Sequence, residues 1–409
     1  MTRGMRWDAV VVGGGPAGSV VALQLARGGA RVLVLDRARF PRDKPCSEYL
    51  SPAATPLLSR LDPELIPEIE RASPGRLYGM RVVAPDGCDV VGRFAAPHRF
   101  PAPAPFGYAL PRTVLDSLLL AAAARAGAEI EEGSAVEELL YDQGAVAGVV
   151  TAGRAVRARV TVGADGLRSI VARRLGLRGG GPPRRLAFAA HYRGVADMGD
   201  RGEMHIGRPG YVGLGPVGDG VTTVALVLPL ETARQRAAAL RGGGLTAELA
   251  RFPALRGRFD SATMVRAVLA TGPFAQWSRR AVAPGGGALL VGDAADFFDP
   301  FTGQGLYSAL RGAELAATTL VAALAAVPRG PLPEATLHPY VAARRSAFAG
   351  KWILERLIGV GVGWPWLAGR VVRRLARLPE LADLLVGATG NFVPPGAVLA
   401  PSTLVRFLL

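Results

Sequence analysis

Lysine is almost missing from this chain of 409 residues, because Lys44 and Lys351 are the only two. The formal net charge of +15 is therefore carried by arginine. The arginines are scattered rather than gathered with aromatic residues into a basic stripe, so no nucleic-acid partner is expected. Disorder is also excluded, because half of the residues are hydrophobic and only 20% are charged.

Cysteine and histidine are equally scarce. Cys46 and Cys88 can form one disulfide at most, which fits a reducing cytoplasm. None of the four histidines stands near another at ligand spacing, so no metal site is expected. The histidines are His98, His191, His205 and His338.

Long apolar runs are missing as well. The apolar stretch near the N-terminus, residues 9–12, is too short for the core of a signal peptide. No uninterrupted run of about 18 apolar residues occurs elsewhere, so no membrane span is expected. The sequence predicts a cytoplasmic protein.

Glycine, by contrast, is abundant, and its first cluster has the pattern of a nucleotide-binding turn. The stretch GGGPAGS, residues 13–19, lies between the β-rich run 9–12 and a helical pattern over residues 19–26. Such glycines permit a tight turn and a close approach of the backbone to a diphosphate at the helix N-terminus. The predicted cofactor-binding residues of this turn are Gly13, Gly15, Ala17 and Gly18.

A second strand, residues 31–35, ends in an acidic residue. Asp36 stands close to the distance at which a carboxylate binds a ribose hydroxyl in dinucleotide-binding units. Asp36 argues against a 2′-phosphate on that ribose, whereas the neighbouring Arg37 argues weakly for one. The turn itself does not decide which dinucleotide binds.

Two distant motifs complete a triplet with the turn. Residues 160–169 carry Asp165 and Gly166 after a strand pattern, and residues 288–296 carry Asp293 in a Gly-Asp motif. In this order the triplet resembles the FAD-dependent oxidoreductases of the p-hydroxybenzoate hydroxylase fold, over roughly the first 330 residues. The resemblance implies FAD, with Asp293 holding its ribityl chain, and an α/β fold.

The same resemblance implies further cofactor contacts. The helix that starts near residue 305 points its N-terminus at the pyrimidine end of the isoalloxazine in this fold, where it stabilises the charge of reduced flavin. Arg112, which opens another helix with Asp116, is expected at the phosphate or ribose side, and Val136 at the adenine. The residues implied at the flavin are Gly303, Gln304, Gly305 and Leu306.

The chain divides into a discontinuous cofactor domain, inserts and a tail. The Rossmann-like FAD-binding domain is expected at residues 1–75, 105–185 and 272–330. Inserts rich in β-signals, residues 76–104 and 186–271, predict an antiparallel sheet that forms the substrate domain over the flavin. Residues 331–409 form a helical C-terminal region.

No second strand–turn–helix unit follows the other glycine-rich stretches. A separate nicotinamide domain is therefore not expected. Electrons for the flavin would come from transiently bound NAD(P)H or from a protein electron donor.

Residues 40–52, FPRDKPCSEYLSP, resemble a segment of geranylgeranyl reductase-like flavoproteins in which a cysteine near the flavin is followed by glycines. Cys46 matches, but Ser47, Glu48 and Tyr49 replace the glycines. The candidate catalytic residues are Cys46, which the resemblance places near the flavin, and Tyr49; either is a candidate proton donor. A small buried hydrophobe is an equally good interpretation of Cys46, and Glu48 is either a proton donor or a carboxylate at a helix start.

Two aromatic residues are expected to line the substrate, Tyr211 and Phe301. Residues 210–217 stand where flavin halogenases of this fold carry a WxWxIP signature, and no tryptophan is present there. Halogenation is therefore disfavoured. His191 and His205 fall in the predicted substrate sheet, as substrate contacts or as structural histidines.

The tail contains a basic amphipathic pattern over residues 370–377, with arginines on one face and Val371, Leu375 and Leu378 on another. Such a helix either lies on an anionic membrane as a peripheral contact or packs on its own domain with a solvated basic face.

The function predicted from these features is that of an FAD-dependent oxidoreductase acting on a hydrophobic small molecule. Hydride transfer to a carbon–carbon double bond of a prenyl or terpenoid-like substrate is the first mechanism. The alternative is a monooxygenase that hydroxylates or epoxidises a polyketide- or terpenoid-like substrate. A third reading, FAD held structurally without turnover, is disfavoured by the Gly-Asp and helix-start motifs.

Overall fold

The computed structural model describes residues 6–97, 99–182 and 184–408, so His98 lies outside the described residues. The strands in chain order are β1 Trp7–Val12, β2 Val32–Asp36, β3 Tyr49–Leu50, β4 Gly75–Leu77, β5 Gly79–Val83, β6 Asp89–Arg93, β7 Gly107–Ala109, β8 Glu129–Glu132, β9 Val136–Asp142, β10 Ala145–Thr151, β11 Arg154–Gly163, β12 Arg178–Gly180, β13 Arg185–Arg193, β14 Gly202–Ile206, β15 Tyr211–Gly218, β16 Val221–Pro229, β17 Thr263–Thr271, β18 Gln276–Ser278, β19 Ala288–Leu290 and β20 Asp296–Phe297. The helices are α1 Pro16–Arg27, α2 Ala54–Leu61, α3 Leu65–Arg71, α4 Arg112–Arg125, α5 Ile170–Arg174, α6 Leu230–Ala239, α7 Leu245–Leu249, α8 Gly305–Ala326, α9 Glu334–Gly361, α10 Pro365–Arg377, α11 Pro379–Thr389, α12 Pro395–Leu399 and α13 Pro401–Leu408.

The cofactor-domain sheet has the strand order β8-β2-β1-β11-β10-β9, with β19 also paired to β11. Strands β8, β2, β1, β11 and β19 run parallel, and β10 and β9 are antiparallel. Helices α1, α4 and α8 pack over one face of the parallel part. Parallel strands covered on both faces need continuous apolar runs, and β1 and β2 have them.

A second seven-stranded sheet has the order β17-β13-β16-β15-β14-β5-β6. Its pairings are antiparallel except for β14 with β5. Alternate residues give it two faces. The outer face, with Val212 and Leu214, packs on α6 and α7. The inner face, with Tyr211, contacts the cofactor domain. The predicted α/β fold, with an inserted sheet and a helical C-terminal region, is confirmed.

The C-terminal helices close the other end of the molecule. Helices α10 and α11 pack against β6 of the inserted sheet, and α9 packs along α8. By length and composition α8 is the one described helix that would be able to cross a membrane. It packs on α1 and half of its apolar window is buried in the protein, so core packing explains its composition.

Candidate functional site

The glycine turn between β1 and α1 tolerates no side chain at two positions. Gly13 has a φ of +103°, and a Cβ placed there would lie 2.6 Å from the Ala164 carbonyl oxygen. A Cβ on Gly18 would lie 1.8 Å from the Gly13 carbonyl oxygen. Helix α1, which includes Ala17, begins at Pro16 with Gly15 as N-cap and no side-chain cap. Its first N–H groups are therefore free for an anion.

Asp36 lies at the end of β2, as the sequence predicts, and its carboxylate braces the turn. Oδ2 accepts a hydrogen bond of 2.8 Å from the backbone N–H of Gly14. Its carbonyl oxygen accepts from the Ser134 N–H at 2.8 Å, which brings the segment before half-buried Val136 to the same edge of the sheet. Arg37 points to solvent.

Two guanidinium groups face the uncapped start of α1. A Cβ placed on Gly15 would lie 3.1 Å from Nη2 of Arg42 and 3.9 Å from Nη2 of Arg112. Arg112 is buried and binds Asp116 through two hydrogen bonds of 2.7 Å. Burial opposes its charge, but Asp116 raises the pKa of Arg112, so the side chain stays cationic. Free N–H groups beside two guanidiniums are a donor set for a diphosphate.

The carboxylates of the two downstream motifs differ in how many hydrogen bonds they accept. Asp165 accepts hydrogen bonds from Ser169 Oγ at 2.5 Å and from the N–H of Ile170 at 2.6 Å, and thereby caps α5. Burial raises the pKa of Asp165, and these hydrogen bonds, which act to lower it, offset only part of that shift. Asp293 remains partly exposed, 3.3 Å from the Lys44 ammonium. Lys44 Nζ also lies 3.5 Å from a Cβ placed on Gly166, so it joins the two motifs.

Helix α8 begins where the sequence predicts. Gly303 has a φ of +68°, in the left-handed region, and Gln304 is an N-cap without a side-chain hydrogen bond. The Gln304 side chain instead donates to the Ala388 carbonyl oxygen at 2.8 Å. The first N–H groups of α8, at Gly305 and buried Leu306, therefore have no side-chain cap and can face an anion.

Cys46 and Tyr49 lie in different surroundings. Cys46 is half-buried against the cofactor-domain core and interacts with the Arg112 guanidinium. Tyr49 is buried on β3, and a Cβ on Gly303 would lie 3.1 Å from its ring. The Tyr49 hydroxyl is buried, and no residue that the structure describes forms a hydrogen bond with it. Burial raises its pKa well above the ordinary value, so the phenol keeps its proton.

The predicted substrate-lining pair is in contact at one end of the inner face. The rings of Tyr211 and Phe301 pack edge to face with centroids 5.0 Å apart. The Tyr211 hydroxyl donates to Asp299 at 2.6 Å, and Arg185 donates to the other oxygen of Asp299 at 2.6 Å. Burial and the Asp299 charge raise the pKa of Tyr211 well above its ordinary value.

From Tyr211 the inner face continues as a strip of small residues. Gly213 lies opposite Ala225 across β15 and β16, and both are half-buried. Val212 and Val224, on the outer face, are fully buried. Solvent therefore reaches the inner face at its centre. Between Tyr211 and Gly215 the strip is about 13 Å long, at about 3.3 Å per residue.

The far end of the strip is polar. His191 on β13 lies directly opposite Thr223 on β16 and Arg266 on β17, so all three share the inner face. His191 Nε2 is 2.6 Å from a carboxylate oxygen of Glu48, which is completely buried. His205 lies on the outer face instead, paired with Glu203.

Behind the start of α8 lies a crevice. Its wall includes Asp293 and two ion pairs, Asp296 with Arg344 and Lys351 with Glu355. Burial lowers the pKa of Arg344 to about 10. Among the described residues no group of three or more histidine, cysteine or acidic side chains is placed to hold a metal.

Sequence reasoning missed several of these residues. Arg42 and Lys44 lie in the segment 40–52, shortly before Cys46. Two basic residues so close to the cysteine were a signal in the sequence for contacts with the cofactor. Thr223 and Arg266 carried no signal, since only strand pairing brings them to His191.

Comparison with known proteins agrees with this geometry. Residues 6–353 match the family model described as FAD binding domain. Digeranylgeranylglycerophospholipid reductase 2 of Methanopyrus kandleri is 32% identical over 325 residues, 75% of this chain and 74% of the relative. Menaquinone reductase of Mycolicibacterium smegmatis is 33% identical over 336 residues, 76% of each chain.

Solved structures share the fold at low identity. A flavin-dependent brominase superposes with a TM-score of 0.79 at 20% identity, over 97% of this chain and 98% of that one. A flavoprotein/dehydrogenase from Cytophaga hutchinsonii gives 0.81 at 18% identity, over 98% and 96%. The chain belongs to the FAD binding domain family, in its geranylgeranyl reductase-like branch, and is an FAD-dependent oxidoreductase.

Proposed function

We propose, from its membership of this family, that the protein reduces a carbon–carbon double bond in a prenyl or terpenoid-like substrate. The observation that carries the proposal is the inner-face strip through Gly213 and Ala225, which is apolar, about 13 Å long and open to solvent at its centre. A chain of isoprene units fits such a strip, whereas bulky side chains at these positions would block it.

The residues of the cofactor domain hold FAD in a defined direction. Arg42, Arg112 and the start of α1 bind its diphosphate, and Asp293 binds its ribityl chain. The start of α8 receives the anionic edge of the isoalloxazine. Bound flavin supplies the hydride. NAD(P)H or a protein electron donor reduces the flavin.

Tyr49 is the better of the two predicted proton donors for the second carbon of the double bond. Its ring lies beside Gly303, next to the start of α8 that receives the flavin edge, and its hydroxyl is buried, protonated and without a hydrogen-bond partner among the described residues. Cys46 faces Arg112 and the cofactor-domain core instead. Tyr49→Phe tests the assignment, because it removes the proton and keeps the ring.

The second candidate function is a monooxygenase on a polyketide- or terpenoid-like substrate. It is supported by solved relatives of this fold, which include flavin-dependent halogenases. Both functions use the same reduced flavin, and they differ in whether oxygen enters the product.

Product analysis separates the two. The holoenzyme is supplied with NADH, NADPH or dithionite and with geranylgeraniol, under nitrogen and under ¹⁸O₂. The proposal expects a product with two added hydrogens per reduced bond in both atmospheres and no ¹⁸O. A product formed only under ¹⁸O₂ and carrying the label would establish the monooxygenase instead.

We also propose that an anionic membrane is a peripheral partner, through the junction of α9 and α10. Five of the eleven large hydrophobic side chains exposed among the described residues lie here, with exposures from 42% to 66%. They are Ile353, Leu357, Val360, Trp364 and Trp366. The adjoining residues 356–379 contain five arginines and no acidic residue. Apolar and tryptophan side chains beside arginines match a membrane interface.

The predicted basic helix is part of this surface. In α10 the buried residues are Ala368, Gly369, Val372 and Leu375, while Val371 is half-buried and Leu378 follows the helix end. Helix α10 therefore packs on its own domain and turns Arg370 and Arg377 outward.

Co-sedimentation tests the membrane proposal. Wild type should bind vesicles of phosphatidylcholine with phosphatidylserine at low salt, and less to phosphatidylcholine alone. Replacing Trp364 and Trp366 by alanine should remove binding, and Tyr141→Ala, at an equally exposed aromatic residue elsewhere, should not. Absence of wild-type binding at low salt would refute the proposal.

A further inference from the structure

The polar end of the inner-face strip contains hydrogen-bond donors that no described residue satisfies. Nη1 of Arg266 donates to Asp43 at 2.9 Å and to Glu48 at 3.2 Å. Its Nε and Nη2 are buried without a partner, as is the hydroxyl of Thr223. Leaving such groups unpaired costs stability. The arrangement therefore suits a ligand that brings hydrogen-bond acceptors.

The position of these donors is held by a constrained backbone. Glu48 has a φ of +61°, which a residue with a side chain rarely adopts. Its carboxylate contacts His191 and Arg266, and one of its oxygens also accepts from the backbone N–H of Arg112 at 3.2 Å. A residue kept in this conformation by three partners is typical of a functional site.

The charges around Arg266 decide what kind of acceptor fits. Asp43 and Glu48 carry two negative charges, and Arg266 carries one positive charge. The cluster is neutral if His191 is protonated and carries one negative charge if it is not. It has no excess positive charge for a phosphate or carboxylate. A neutral oxygen, such as a ketone or quinone carbonyl, can take the free N–H and O–H donors without repulsion.

We propose that Arg266 and Thr223 bind a neutral carbonyl oxygen of the substrate, at the opposite end of the strip from Tyr211. The substrate is then a hydrophobic molecule with an isoprenoid-like body on the small-residue strip and a carbonyl group on β16 and β17. This inference rests on the proposed function for the isoprenoid-like body of the substrate. What it adds is the carbonyl group that binds at the polar end of the strip.

The test measures binding to the oxidised holoenzyme, which needs no turnover. Three probes share a geranyl body: the ketone geranylacetone, its hydrocarbon counterpart 2,6-dimethylundeca-2,6-diene, and the anion geranyl phosphate. Dissociation constants are taken from the change in flavin absorbance. Wild type should bind the ketone more tightly than the hydrocarbon and than the phosphate.

Variants assign that preference to the two residues. Arg266→Met should weaken ketone binding about tenfold or more and Thr223→Val about threefold, with hydrocarbon binding unchanged. Thr222→Val is the matched control, because Thr222 is the neighbouring buried threonine with its side chain on the outer face. Thr223→Val keeps the side-chain shape, so it tests the proposal even if Arg266→Met does not fold.

Three results would overturn the proposal. These are equal wild-type affinity for ketone and hydrocarbon, tighter binding of geranyl phosphate than of the ketone, and loss of FAD from the Thr223 or Arg266 variant. The last would mean that the donors hold the cofactor. Failure of the proposed reduction would appear separately, as a reduced enzyme that binds geranylacetone but returns it unchanged.

Discussion

The inserted sheet carries two clusters of glutamate, histidine and arginine on opposite faces, and they differ in how completely their hydrogen bonds are made. On the outer face Arg258 binds both oxygens of Glu203, at 2.6 and 3.1 Å. It also donates to the carbonyl oxygens of Ala196 and Asp197. Glu203 is 2.6 Å from His205.

On the inner face the same three residue types leave donors unused. Arg266 contacts Asp43 and Glu48 through one nitrogen, and its other two nitrogens have no partner. Among the described residues the outer cluster leaves one buried polar atom without a partner, Nδ1 of His205, whereas the inner cluster leaves Nε and Nη2 of Arg266. We propose that a ligand completes the inner cluster. Residue type alone does not distinguish a structural cluster from a site, whereas the hydrogen bonds left unmade do.

The largest effect expected from this comparison is on stability. Arg258→Met should lower the free energy of unfolding by about 3–5 kcal/mol, because it leaves the buried Glu203 carboxylate without its cation. Arg266→Met should cost less, because Glu48 loses one hydrogen bond of 3.2 Å and keeps its contacts with His191 and the Arg112 N–H, whereas Glu203 loses two hydrogen bonds. Urea unfolding of both variants measures the difference, and equal losses would contradict the distinction between the clusters.

A smaller effect is the pH dependence that Glu203 contributes. Burial acts to raise the pKa of Glu203. Hydrogen bonds from His205 and Arg258 outweigh this effect and lower the pKa from 4.5 to about 2. The folded pKa is depressed, so the stabilisation is present above pH 4.5 and is lost as the pH falls towards 2. The shift corresponds to at most about 3 kcal/mol.

Glu203→Gln checks this contribution. The variant should lose less stability than wild type between pH 5 and pH 2.5, as measured by urea unfolding at each pH. Identical slopes in the two proteins would show that Glu203 is not held ionised by the outer cluster.

FAD binding in the cofactor groove, between the starts of α1 and α8, should not depend on either cluster. Asp293→Asn should weaken FAD binding by about 1.5–3 kcal/mol, or roughly 10- to 100-fold, because a charge-assisted hydrogen bond is lost. Asp296→Asn is the matched control, since Asp296 is paired with Arg344. Flavin released from the purified variants gives the measurement, and equal flavin content would contradict the placement of the Gly-Asp motif.

The cofactor groove was more predictable than the inner face for a physical reason. The turn at residues 13–19, Asp36 and the start of α8 depend on local geometry, which glycine spacing and helix starts encode. The inner face depends on pairing across β15, β16, β13 and β17. No local pattern encodes that Thr223 and Arg266 lie on either side of His191.

The surroundings of some single residues were also not predictable, because their contacts come from distant parts of the chain. Arg112 and Asp116 stand four residues apart at the start of a predicted helix, but nothing in the sequence indicates that Arg42 also pairs with Asp116. Cys46 matched a family segment, but its surroundings depend on Arg112, which lies 66 positions later. Which side chain of residues 46–49 reaches the substrate remains a prediction, and Tyr49 is the one proposed.

The anaerobic half-reaction tests the central claim, reduction of a carbon–carbon double bond by the flavin, most directly. The holoenzyme is reduced with dithionite under nitrogen, mixed with geranylgeraniol or geranylacetone, and followed by flavin absorbance in a stopped-flow instrument. The account predicts that the oxidised flavin spectrum returns without oxygen and that the product gains two hydrogens for each flavin oxidised. Flavin that stays reduced with both compounds until oxygen is admitted would contradict it.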